Sequence, residues 1–436
     1  MEPIIVIGAG LAGCEATWQI AKQGGRVILY EMKPLAYSPA HKSPYFAEIV
    51  CSNSFKSESL ENGPGVLKQE MERMNSLILR VARETRVPAG VSLAVDREAF
   101  SKRITTILEN MENVEVIRKE VTAIPQDGVT LLATGPLTSE KLSCEIQKKT
   151  GTSLFFYDAI SPIITAESID FAKTFKASRY GKGGEDYLNC PMGKETYDQF
   201  VDALVQADTV PLRDFEKRYL FEGCLPVEEL ARRGKETLAF GPLKPVGLTS
   251  PHDGGQPFAV VQLRVENRFG TLLNLVGFQT RLKQGEQQRV FRMIPGLERA
   301  EFVRYGSVHR NTFIDSPRLL NESLQLKEHP KLFFAGQITG VEGYMESTAI
   351  GLLAGINALR IMAGKAPAVP PPATAMGALL HHITHSNAVP FQPMNINFGL
   401  FPPLPGRAKG RQKRQLLAKR ALEDLERWKV EFLAHP

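Results

Sequence analysis

The sequence predicts an α/β protein, with a Rossmann-type dinucleotide-binding domain interrupted by an inserted mixed α/β domain. Three observations predict it. Residues 3–31 run strand, glycine-rich turn, helix, strand and acid, in the order a βαβ unit requires. A second strand, glycine turn and small-residue helix stands at residues 332–363. Between them, from about residue 158 to 323, the periodicity changes and the chain becomes richer in aromatics, Lys and Arg over a span too long for a connection. The expected division is 1–157 and 324–436 for the nucleotide-binding domain and 158–323 for the insertion.

Composition agrees. At 436 residues the chain exceeds one ordinary core, and 43% hydrophobic with 23% charged residues is a globular balance. The N-terminus enters a strand at once, without signal-peptide blocks, and no apolar run reaches the roughly 18 residues of a membrane span. Cytoplasm without membrane association is expected. Five scattered cysteines lack a CxxC pair, so neither a disulfide framework nor a metal site is expected. The net charge of +6 is mild but unevenly spread.

In the first unit the turn and helix start are Gly8, Ala9, Gly10, Leu11, Ala12 and Gly13. Gly8 permits a tight turn, Gly10 admits a pyrophosphate to the backbone, and Gly13 lets helix and strand close. The helix N-terminus offers unbonded N–H groups and a positive dipole end. Glu31, ending the second strand, can accept bonds from ribose hydroxyls and disfavours a 2′-phosphate. A βαβ unit without ligand is the bland alternative, and the complete fingerprint weighs against it.

The fingerprint leaves FAD and NAD open. The later turn, Gly336-Gln337 leading through Gly340, Glu342, Gly343 and Tyr344 into a helix, resembles what two-dinucleotide flavoproteins set beside their isoalloxazine. Thr134-Gly135, after the strand at 129–133, resembles their mid-chain turn. Either alone reads equally as an ordinary strand–helix turn. The three in order point to a glutathione-reductase-like FAD-binding domain.

Residues 34–64 read as loop, residues 66–87 and 97–111 as helical, and the proline-rich 366–375 as a surface linker. Cys51, in Cys51-Ser-Asn-Ser-Phe-Lys56, is either a buried structural thiol or a thiol near Lys56 and the flavin. Cys224 sits in a turn that favours partial exposure, and Cys14 packs inside the first helix. Asp96-Arg97 is either flavin-proximal or a helix cap. The tail carries Arg407, Lys409, Arg411, Lys413 and Arg414 with no acid until Glu423, either a solvated helix face or a phosphate-contacting surface. Arg80, Arg83, Arg86, Arg97, Lys102 and Arg103 could extend it.

Taken together, the glycine motifs, Glu31-Met-Lys33-Pro, Cys51-Ser-Asn-Ser54, Thr134-Gly-Pro, Arg310-Asn-Thr-Phe, Gly336 to Tyr344 and Phe391-Gln-Pro-Met-Asn395-Ile-Asn-Phe-Gly399 resemble the folate/FAD-dependent tRNA uracil-5-methyltransferases over essentially the whole chain. The cysteine loop and the Arg310 and Phe391 blocks are the specific part. The resemblance implies methylation of C5 of uridine 54 in the tRNA T-loop, with carbon from 5,10-methylenetetrahydrofolate and reducing equivalents from NADH or NADPH through FAD. It adds Lys33 to the cofactor-binding residues and names no obligate protein partner. On it we assign Cys224 as the nucleophile on uracil C6 and Cys51 as the flavin-side thiol, the reverse remaining open. The competing readings are the wobble-uridine modifying flavoproteins of the MnmG type, whose extra helical domain this chain is too short to hold, a small-molecule NAD(P)H-dependent flavin oxidoreductase, and an RNA-binding scaffold with structural flavin.

Overall fold

The β-branched run Ile4–Ile7 is an inner strand of a six-stranded sheet in a computed structural model that describes residues 2–151, 154–181, 184–210, 225–251, 254–388 and 391–432. The strand order is Gln325–Leu326, His329–Phe334, Thr130–Leu132, Ile4–Ile7, Val27–Glu31, Val114–Arg118. From His329–Phe334 onward the pairing is parallel throughout. Val27–Glu31 lies on one side of Ile4–Ile7 and Thr130–Leu132 on the other, so the strand order reverses at Ile7. Open α/β sheets bind ligands at that switch point, off the carboxyl ends of the strands.

Helix Leu11–Ala21 covers this sheet, and helix Tyr344–Met362 crosses over it. The crossing is close because small residues face each other. A Cβ on Gly351 would lie 2.3 Å from the Ala12 carbonyl oxygen. Both helices are apolar on nearly all sides and almost wholly buried, as a central layer must be.

The inserted unit is an antiparallel six-stranded sheet, ordered Phe175–Lys176, Tyr187–Met192, Ala259–Val265, Leu272–Leu275, Ile163–Thr165, Phe302–Arg304. Helices Lys194–Gln206 and Gln284–Phe291 contribute to its own apolar core around Tyr197, Phe200, Phe278 and Phe291. Strands Leu154–Ile160 and Ser307–Phe313 pair antiparallel, carrying the chain out of the first unit and back. Ile314, Leu320 and Leu324 already pack in the first core.

Three segments differ from sequence expectation. The helical stretch 66–87 is two helices, Gly63–Arg73 and Leu77–Glu84. Asn75 takes a left-handed φ of +56°, and Ser76 then caps the second helix, accepting a bond from the Leu79 amide at 3.2 Å. The loop 34–64 contains the strand Ser54–Ser57, whose Phe55 is buried. The tail helix Gly410–Phe432, read only by its basic residues, also has an apolar face, with Leu417, Ala421, Leu425 and Trp428 buried in the first core. Among the described residues no helix is long and apolar enough to cross a membrane.

Candidate active site

Two pockets meet at the switch point. The first is lined by Gly8, Ala9, Gly10, Glu31, Lys33 and Thr134, among others. Gly8 has φ +100°, and a Cβ there would lie 2.7 Å from the Ala133 carbonyl oxygen. Gly13 faces the protein, since a Cβ on it would come 1.8 Å from the Gly8 oxygen. The Cβ position of Gly10 is open, and no side chain caps the helix that Gly10 starts, so its first-turn N–H groups remain for a ligand anion. Leu11 and Ala12 are buried in that first turn. The buried Glu31 carboxylate accepts bonds from the Ala9 amide at 2.9 Å and the Lys33 amide at 3.0 Å, which fixes it against the turn. The Lys33 ammonium donates to the Tyr45 carbonyl at 2.6 Å and pairs with Glu48 at 3.3 Å.

The second pocket is a cavity of about 430 Å³ between the two units, with Leu137 lining both pockets. The first unit contributes Cys51, Lys56, Gln337, Glu342, Gly343 and Tyr344. The inserted unit contributes Arg264, Asn274 and Gln279. Tyr344 joins two distant segments, because its hydroxyl oxygen accepts the amides of Cys51 at 2.7 Å and Ser52 at 3.3 Å. Burial pushes the Tyr344 phenol above its ordinary pKa. Lys56 pairs with the fully buried Glu346 at 3.1 Å, and the Ile396 amide also donates to Glu346. The Gln337 amide donates to the Glu342 carboxylate at 2.6 Å, and Asn395 donates to the Glu342 carbonyl. The Asn274 amide nitrogen is buried without a hydrogen-bond partner.

Other candidates fall elsewhere. Gly336 and Gly340 serve packing: added Cβ atoms would meet Ala12 at 2.7 Å and the Phe391 ring at 2.3 Å. Gly135 turns the chain with φ +67° beside Thr134. Cys14 is buried, its thiol donating to the Ala9 carbonyl at 3.2 Å, and burial raises its pKa. Asp96 caps helix Arg97–Glu109 through the Ala99 amide at 3.0 Å, whereas Arg97 reaches across to Glu266 of the inserted unit at 2.5 Å. Arg83, Arg86 and Arg103 pair with acids. Arg407, Lys409, Lys413 and Arg414 are exposed, and Arg411 pairs with Glu61. Cys224 lies outside the described residues. Sequence reasoning missed Glu266, Arg264 and Glu346, buried charges whose partners lie in other segments.

The chemistry available is a dinucleotide cradle beside a cavity that holds a thiol, a phenol and a lysine–carboxylate pair. A family model described as glucose inhibited division protein A matches residues 3–366. The methylenetetrahydrofolate–tRNA-(uracil-5-)-methyltransferase TrmFO of Geobacter sulfurreducens is 61% identical over 426 residues, 98% of each chain. Its counterpart from Moorella thermoacetica is 57% identical over 424 residues, 97% of each chain. Among solved structures, GidA of Aquifex aeolicus in its form II crystal superposes with a TM-score of 0.71 at 16% identity, covering 98% of this chain and 74% of that one, a likeness of fold.

Proposed function

The chain belongs to the glucose inhibited division protein A family and groups with the methylenetetrahydrofolate–tRNA-(uracil-5-)-methyltransferases, and from that premise we propose that it methylates C5 of uridine 54 in the tRNA T-loop. The proposed reactants are 5,10-methylenetetrahydrofolate as carbon source and NADH or NADPH as reductant, with FAD as the resident cofactor. The observation that carries the reading is the cavity that Cys51, Lys56 and Tyr344 share, next to the nucleotide pocket, with Leu137 lining both.

The residues present fit FAD. The open Gly10 position, the uncapped helix start and the fixed Glu31 carboxylate suit its adenosine diphosphate half, and the cavity beyond suits its ring. Bound there, FAD supplies a one-carbon carrier and a hydride donor. The rest falls to the protein. The Cys224 thiolate adds to C6 of uracil, which makes C5 nucleophilic. C5 bonds the incoming methylene and loses its proton; the methylene then parts from its carrier and takes up a hydride, and the thiolate leaves C6 as the C5–C6 double bond is restored. Cys51 serves as the thiol on the flavin side, its backbone amide held by the Tyr344 hydroxyl. The uridine must leave its stack to reach this cavity. Arg407, Lys409, Arg411, Lys413 and Arg414 supply phosphate contacts for the T-arm.

The test is to mix the yellow protein with unmodified tRNA, methylenetetrahydrofolate and NADH, then score 5-methyluridine. Product is expected with wild-type tRNA and none once the T-loop uridine is replaced. Equal product from both tRNAs refutes the site, and none from either refutes the reaction.

A further inference from the structure

The loop that carries Cys51 has no regular structure at Cys51, Ser52 or Asn53, yet it is held on every side. Arg264, buried on strand Ala259–Val265 of the inserted unit, donates to the Asn53 side-chain oxygen at 2.8 Å and to the Ser52 hydroxyl oxygen at 2.7 Å. Asn53 answers across the same junction, its amide nitrogen donating to the carbonyls of Val265 at 2.9 Å and Val95 at 3.0 Å. Next to it Arg97, gripped by Glu266, donates to the carbonyls of Ile49 at 2.7 Å and Cys51 at 3.4 Å. The two residues that follow the thiol in sequence are thus fixed by a side chain some two hundred residues away on the other unit.

We propose that Arg264 is a positioning residue for Cys51, orienting its thiol toward the shared cavity and tying its reactivity to the seating of the inserted unit. The proposal rests on the reading of Cys51 as the flavin-side thiol. Arg264 acts through its grip on the loop, since the Ser52 hydroxyl and the Asn53 side-chain oxygen are the two groups next to the thiol in sequence. Lys56 and Tyr344 line the same cavity as Cys51. Charge and orientation are separable. Gln removes the charge and the reach, whereas Lys keeps the charge and cannot hold both acceptors in one plane.

The experiment uses the flavin-loaded wild type, Arg264→Gln and Arg264→Lys. Iodoacetamide labelling of Cys51 is followed on its peptide by mass spectrometry at one fixed pH, beside kcat and KM for tRNA methylation. Arg264→Gln should slow Cys51 labelling and lower kcat, each about tenfold, at unchanged KM. Arg264→Lys, which keeps the charge without the planar grip, should stay slow in both. A Gln variant that labels Cys51 at the wild-type rate overturns the proposal, whatever its kcat. Slow labelling with wild-type kcat overturns it too, as does a loss carried by KM alone or a Lys variant that behaves as wild type. Should Arg264→Gln not fold, Ser52→Ala removes one acceptor and should slow Cys51 labelling about threefold, with an unchanged rate counting against the proposal. Methylation by Cys51→Ser is the control: full activity there refutes the functional reading, and the labelling rate still decides the role of Arg264.

Discussion

The nucleotide pocket and the cavity beside it are built by opposite means. The part of the pocket that fits a dinucleotide is mostly backbone: a turn, a helix start and the Glu31 carboxylate, all within residues 8–31, held by bonds such as Ala9 to Glu31. The cavity is mostly side chain, assembled from residues 50–56, 136–137, 160–161, 264–279, 311, 337–346 and 395. Backbone sites depend on what is absent, a Cβ above all. Side-chain sites depend on distant partners being present. Mutations should therefore fail differently in the two regions.

The sharpest way to break this contrast lies inside the pocket. Gly13→Val puts a side chain against the Gly8 oxygen and should cost about 3 kcal/mol or more, giving little folded protein. At Gly10 an added Cβ meets nothing within 4 Å, so Gly10→Val should fold, lose its yellow colour and melt like flavin-stripped wild type. A Gly10→Val variant that retains flavin would refute the assignment of the pocket. In the cavity, Cys51→Ser should keep flavin and lose methylation by about 10³-fold, read by 5-methyluridine formation. A smaller effect is expected at the seam between the units. Glu266→Gln leaves Arg97 buried without its counter-charge and should cost about 3 kcal/mol in urea unfolding, whereas no loss would mean that the units do not depend on this pair.

The smallest effect concerns Lys68, which is buried behind the cavity and donates to the carbonyls of Ser57 and Pro64. Burial lowers its pKa to about 8, the largest cause, against an ordinary value near 10.5. Below pH 8 the folded protein carries the full cost of a buried cation. Between about pH 8 and 10.5 the unfolded chain holds more protons, so wild-type stability should gain on Lys68→Met as pH rises. Urea midpoints for both proteins across that range test it, and a constant difference sinks the idea.

The same contrast decides what could be read from the sequence. The cradle was legible because its glycines, helix and Glu31 are local and each obeys a backbone rule. The α/β class followed from it and from the second glycine turn, and the likeness to GidA agrees. The cavity was only half legible. Cys51 and Tyr344 each stood out in their own motif, but nothing local says that the Tyr344 hydroxyl meets the Cys51 amide. Asp96-Arg97 presented two choices, and the residues divide them: Asp96 is a cap, and Arg97 bridges the units. Arg264 and Glu266 gave no signal, because a charged residue in or just past an alternating strand reads as solvent-facing until the other unit covers it. The break at Asn75 was hidden for a related reason, since the apolar period continues through it.

The crossing of helix Leu11–Ala21 by helix Tyr344–Met362 bears on biosynthesis. A ribosome finishes the first helix on the order of 15–65 seconds before its covering partner, at roughly 5–20 residues per second. Through that interval an apolar helix has no lid. The inserted unit, by contrast, draws its core from the contiguous stretch 164–302 and needs nothing made later. The nascent chain therefore completes its middle before its beginning, and the first motif translated is among the last to close.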